Sequence, residues 1–126
     1  MAAGAGSQLE MPIPFNVNGG IEGAEASIMK VIDAALVTAG LRVPFCGARR
    51  ILVHVKNTHS SAHEVTAYAG AGAGAAYGDY ESMDIPATSG ERILVLEATR
   101  FQQSSGELWV DFGSGMTGLV GVFLLP

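Results

Sequence analysis

Three histidines, His54, His59 and His63, lie close together in the sequence, and neutral imidazole is a common zinc ligand. His59 and His63 are spaced to approach one another across a turn, whereas His54 alternates with Lys56 along an extended run. Neither Cys-x-x-Cys nor His-Glu-x-x-His accompanies them, so the pattern predicts loop and surface histidines and no metal. Asp79, Glu81 and Asp84 lack the dense Asp-x-Asp-x-Asp-Gly spacing of a calcium loop and read as a solvated acidic edge that discourages strand pairing. Gly113, Gly115 and Gly118 match the letters of GxGxxG. That motif holds a dinucleotide only where it opens a helix, and the chain ends shortly after Gly118, so a tight hairpin is the expected use of these glycines. The Gly70-Ala-Gly-Ala-Gly74 run lacks the Lys-Ser/Thr of a phosphate loop. Cys46 carries no cue for a lowered pKa, and no Gly-x-Ser-x-Gly elbow is present. These residues predict neither catalysis nor a cofactor.

The elements that would position them are mostly strands. Ile51 to Lys56 alternates Ile51, Val53 and Val55 against Leu52, His54 and Lys56; Glu64 to Ala69 returns after Asn57 to Ala62, a spacing that predicts a β-hairpin. Tyr80 to Ile85 and Arg92 to Glu97 form the next pair, divided by a segment opening with Pro86, which has no ladder donor. Leu108 to Phe112 and Leu119 to Leu125 form the last, with Trp109 read as core. Leu41 to Phe45 is a shorter strand weakened by Pro44, and the Gly-Ala stretch 70–78 is a loop. The final strand is apolar on both faces and so is expected to sit centrally, covered on each side.

Between Ile21 and Gly40 two periods compete. Ile21, Ile28, Ile32, Ala35 or Leu36, and Ala39 follow helical spacing with Gly40 as a C-cap, whereas Val31, Asp33, Ala35 and Val37 alternate; the β-rich remainder favours a strand over Val31 to Thr38. Residues 1–20, rich in Gly, Ala, Ser, Pro and Asn, read as a flexible N-terminal arm, with Pro12 and Pro14 blocking helix. Met11, Ile13 and Phe15 recur at period two, three apolar anchors for protein contact on one face of an extended arm. A partly ordered first strand or a frayed terminus fits the same residues. Residues 21–126 then form one mainly β domain of short strands with Gly, Pro, Asn and Ser turns, a β-sandwich or jelly roll.

Composition narrows the function. Charged residues make up 15% of the 126 positions and apolar ones 48%, a low-charge surface that favours self-association or an assembled particle. The basic residues are scattered, with Arg49-Arg50 the one adjacent pair, so no stripe tracks a phosphate backbone and no nucleic-acid partner is expected. The net charge of -5 disfavours anionic membranes, and no apolar run reaches the ~20 residues of a spanning helix. A single cysteine needs no oxidising compartment, and the start of the chain lacks a secretory signal, so synthesis in a cytoplasm is expected.

Set in order, Arg49-Arg-Ile-Leu-Val-His-Val-Lys-Asn-Thr58, Glu64-Val-Thr-Ala-Tyr68, Ile85-Pro-Ala-Thr-Ser-Gly-Glu91, Leu108-Trp-Val-Asp-Phe112 and Leu119-Val-Gly-Val-Phe-Leu-Leu125 resemble the strands and loops of tailed-bacteriophage head decoration (capsid cement) proteins. The resemblance runs from Arg49 onward. It implies a virion structural protein made in the host cytoplasm, often trimeric, that braces major capsid subunits on the outside of the shell without catalysis. The alternative is a β-sandwich binding module of a tail or adhesin, recognising carbohydrate or protein through Tyr68, Tyr77 and Tyr80 around the Gly-Ala loop.

Overall fold

Alternation of apolar and polar residues writes most of this fold. In β5 (Arg50–Asn57), Ile51, Val53 and Val55 are buried and the residues between them are not. The same period sets β4 (Leu41–Pro44), β6 (His63–Tyr68), β8 (Glu91–Glu97) and β9 (Glu107–Phe112). The computed structural model describes residues 9–10, 15–16, 30–71 and 80–125. Within them lie also β1 (Leu9–Glu10), β2 (Phe15–Asn16), β3 (Lys30–Ile32), β7 (Tyr80–Ile85) and β10 (Gly118–Leu125). Two short helices, α1 (Ala34–Ala39) and α2 (Ala98–Phe101), complete the described elements.

The protein is mainly β, with two sheets. The first runs β1-β4-β9-β6-β7 and the second β2-β10-β5-β8, with β3 also on β10. Pairing is antiparallel except where β1 meets β4 and β2 meets β10. One apolar core unites Leu41, Val65, Leu108 and Phe112 of the first sheet with Ile51, Val53, Leu94 and Val122 of the second. As expected, β10 is central in its sheet, and Val120 and Val122 are fully buried; its other face is not covered as expected, since Leu119, Phe123 and Leu125 keep part of their surface exposed.

Three expectations are corrected. The strand over Val31 to Thr38 ends at Ile32, and α1 takes over. Alternation through this stretch would aim Asp33 at the same side as Val37, whereas in the helix the Asp33 carboxylate accepts from the Leu36 amide at 2.9 Å while Leu36 and Val37 are buried. Gly40, at φ +81°, closes the helix with its amide donating to the Leu36 carbonyl.

The hairpins are also corrected. β5 and β6, β7 and β8, and β9 and β10 are each consecutive in sequence yet belong to different sheets, so 58–62, 86–90 and 113–117 are crossovers between layers. Two alternating runs joined by a polar turn look alike whether they pair edge to edge or face each other across a core. Trp109, expected inside, lies half-buried on the outer face of the first sheet, because Leu108, Val110 and Phe112 take the inward positions.

Candidate interaction surface

The outward side chains of the second sheet are unusually apolar. Val31 is 60% exposed, Ile93 55% and Val95 49%, and Leu52, Leu119 and Phe123 lie half-exposed on the same side. Register places Phe123 beside Leu52 and Leu52 beside Val95, so the apolar row crosses β10, β5 and β8. Charges bound it on β5 and β8: Arg50 stands opposite Glu97 at one end and Lys56 opposite Glu91 at the other. His54 sits between them, its Nε2 3.1 Å from the Glu91 carboxylate. The sequence drew attention to His54 and Arg50 for other reasons and did not mark the apolar row, although Ile93-Leu-Val-Leu96 is apolar at both parities of an exposed-edge strand, the signal that marks two apolar faces.

A second constellation gathers where the three crossovers meet. Asn57 is fully buried, and its side-chain amide donates to the carbonyls of Ser61 (2.9 Å), Pro86 (3.1 Å) and Ile85 (3.2 Å). Its carbonyl oxygen accepts from the His59 amide at 2.9 Å. One side chain thus ties β5 to the 58–62 crossover and to the end of β7 in the other sheet. Next to it, His63 Nε2 lies 2.8 Å from His59 Nδ1. The Ser61 amide also points at His59 Nδ1, from 3.3 Å, which makes that nitrogen the acceptor and His63 the donor.

The three histidines therefore do not converge. His59 and His63 share a hydrogen bond, and His54 belongs to the outer face of β5. Among the described residues no three metal-ligating side chains come together. Gly113, Gly115 and Gly118 lie at the third crossover, followed by β10 and not by a helix; a Cβ on Gly118 would fall 1.8 Å from the Lys56 carbonyl oxygen, so this glycine serves close backbone approach, whereas Gly115 serves a turn at φ +83°. Asp84 is exposed on edge strand β7, whereas Asp79 lies outside the described residues, as does most of the Gly-Ala run.

The other expected interaction residues divide similarly. Tyr68 donates its hydroxyl to the Asp111 carboxylate at 2.7 Å, beside a depression of about 190 Å³ lined by Glu64, Thr66 and Ser114. Tyr77 lies outside the described residues. Of the arm anchors, Met11 and Ile13 lie outside them too, and Phe15 falls in β2 with its backbone in register with Phe123. Cys46 is exposed in a tight turn.

No family model matches the chain, and neither the curated proteins nor the solved structures provide a match.

Proposed function

We propose that the chain is a virion structural protein: a β-sandwich of jelly-roll type that decorates a tailed-phage capsid and reaches major capsid subunits with an N-terminal arm over residues 1–20. The observation that carries this reading is how β1 and β2 are held. Leu9 and Glu10 pair with Leu41 and Arg42 at the edge of one sheet, and Phe15 and Asn16 with Phe123 and Leu124 at the edge of the other. Each attachment is two residues long and parallel. A ladder that short contributes little, so a neighbouring sheet edge offering the same backbone groups exchanges with it at small net change in hydrogen bonding. Crossovers that pass from sheet to sheet support the jelly-roll winding.

Decoration then stabilises the shell by linkage, since a protein that binds only the assembled lattice adds its binding free energy to that state. Many copies make weak single contacts sufficient. The low-charge composition suits a protein whose surface is largely covered in a particle. Removal of residues 1–20 tests the reading by co-sedimentation with phage heads: capture is expected to fall at least about tenfold at unchanged fold, as a lost multivalent anchor requires, and undiminished capture would sink it.

A further inference from the structure

We propose that the outer face of β5 and β8 binds a second copy of this chain, about a two-fold axis that runs along the strands midway between them. The face is self-complementary in its charges. On β5 the outward residues are Arg50, Leu52, His54 and Lys56, cationic at both ends; on β8 their register partners are Glu97, Val95, Ile93 and Glu91, anionic at both ends. A half-turn about that axis lays β5 of one copy over β8 of the other at the same height. Arg50 then meets Glu97 of the second copy, Lys56 meets its Glu91, Leu52 its Val95 and His54 its Ile93, and every contact occurs twice, as an isologous interface demands.

The alternative axis, across the strands, sets Arg50 over Lys56 and Glu97 over Glu91, so like charges exclude it. Ile93 and Val95, 55% and 49% exposed, lie at the centre with the partly buried Leu52, and charges stand at the rim, the arrangement typical of protein interfaces. Two cations balanced by two anions fit neither a phosphate backbone nor an anionic lipid surface, each of which calls for one sign. Neither Arg50 nor Glu97 is held by an ion pair among the described residues. β8 is the free side of its sheet, with β2 and β3 on the far side of β10, so the N-terminal strands leave the approach open. Two strands of this length offer less than the ~800 Å² per partner of a standard complex, and the dimer therefore dissociates on dilution.

This pairing uses a different surface from the arm, and its test is separate. The full chain is examined by sedimentation velocity over a range of concentrations, with thermal melting to confirm that each variant folds. The wild type is expected to pass from one chain to two as concentration rises. Arg50→Glu alone and Glu97→Arg alone are expected to raise the dissociation constant at least about tenfold, since each places two like-charged contacts in the interface. An equimolar mixture of these two variants is expected to recover the dimer, because the reversed charge of Arg50→Glu then faces the reversed charge of Glu97→Arg, and the two unchanged residues face each other. A wild type that stays one chain at every concentration, a mass of three chains, or single variants that associate like the wild type would each overturn the proposal.

Discussion

Replacing Asn57 with alanine removes a buried side chain that binds the 58–62 crossover to the 86–90 crossover. Four hydrogen bonds go with it, to Ser61, Ile85, Pro86 and the His59 amide. Ser61 and Pro86 are exposed residues whose carbonyls can turn to water, so their loss is mostly offset. The Ile85 bond is buried, and the His59 amide is partly so. Two groups left without partners at roughly 1–3 kcal/mol each, the buried one nearer the top of that range, give a destabilisation of about 2–4 kcal/mol. For a domain of this size that lowers Tm by roughly 8–16 °C. Asn57→Asp sharpens the test. It keeps the shape but turns the donor end into an acceptor that faces three carbonyl oxygens, so the ionised form is disfavoured and the folded carboxyl titrates above the ~3.9 of an unfolded aspartate. A raised acid pKa means that the penalty is full at neutral pH and shrinks as pH falls through the folded value, where the added proton restores one donor. Melting followed by circular dichroism from pH 8 to pH 5 should show the deficit of Asn57→Asp against wild type narrowing. An alanine variant within about 2 °C of wild type, or an aspartate deficit flat with pH, would refute the assignment of Asn57 as the clasp.

Substitutions at three further positions probe local geometry. Cys46 (φ +51°) and Gly47 (φ +80°) form a turn closed by the Ala48 amide on the Phe45 carbonyl, and a left-handed first position followed by glycine suits Asn-Gly. Cys46→Asn is expected to raise stability by about 0.5–1 kcal/mol in denaturant titration, and a loss would contradict the turn. Asp33→Ala should cost about 1 kcal/mol and Asp33→Asn only a few tenths, because asparagine also caps a helix; equal losses would mean that charge, not capping, is at work. Gly118→Ala puts a methyl 1.8 Å from the Lys56 carbonyl at φ +148° and is expected to cost at least about 3 kcal/mol, read as a shift in the denaturation midpoint.

Strand positions were legible because alternation reports burial directly. β5, β7, β9 and β10 lie within a residue or two of where their apolar period puts them. Partnership was not legible, because period two states which residues face inward and nothing about which strand lies alongside. The polar turn of 58–62 would serve a hairpin as well as a crossover; Asn57 decides in favour of the crossover by reaching the end of β7, a contact between residues 28 apart. The helix over Ala34–Ala39 showed as one of two competing periods and lost to the β-rich remainder. Six residues hold fewer than two turns, too few for the period alone to decide, and the cap at Asp33 was the stronger signal.

The candidate surface follows from the same limit. Arg50 and Lys56 lie on one strand, Glu91 and Glu97 on another, and in the linear sequence they are scattered charges of an acidic protein. Antiparallel pairing of β5 with β8 sorts them into a cationic column beside an anionic one with Leu52, Ile93 and Val95 between. Had β5 paired with β6, its outward neighbours would have come from Glu64, Thr66 and Tyr68, a polar set with no such alternation of sign. The crossover that sends β6 to the other sheet is therefore also what leaves β5 free to take β8 as its neighbour. If that pairing makes the binding face, loosening the crossover end by Asn57→Ala should weaken self-association only as far as it unfolds the chain, whereas Arg50→Glu should weaken it in a fully folded protein.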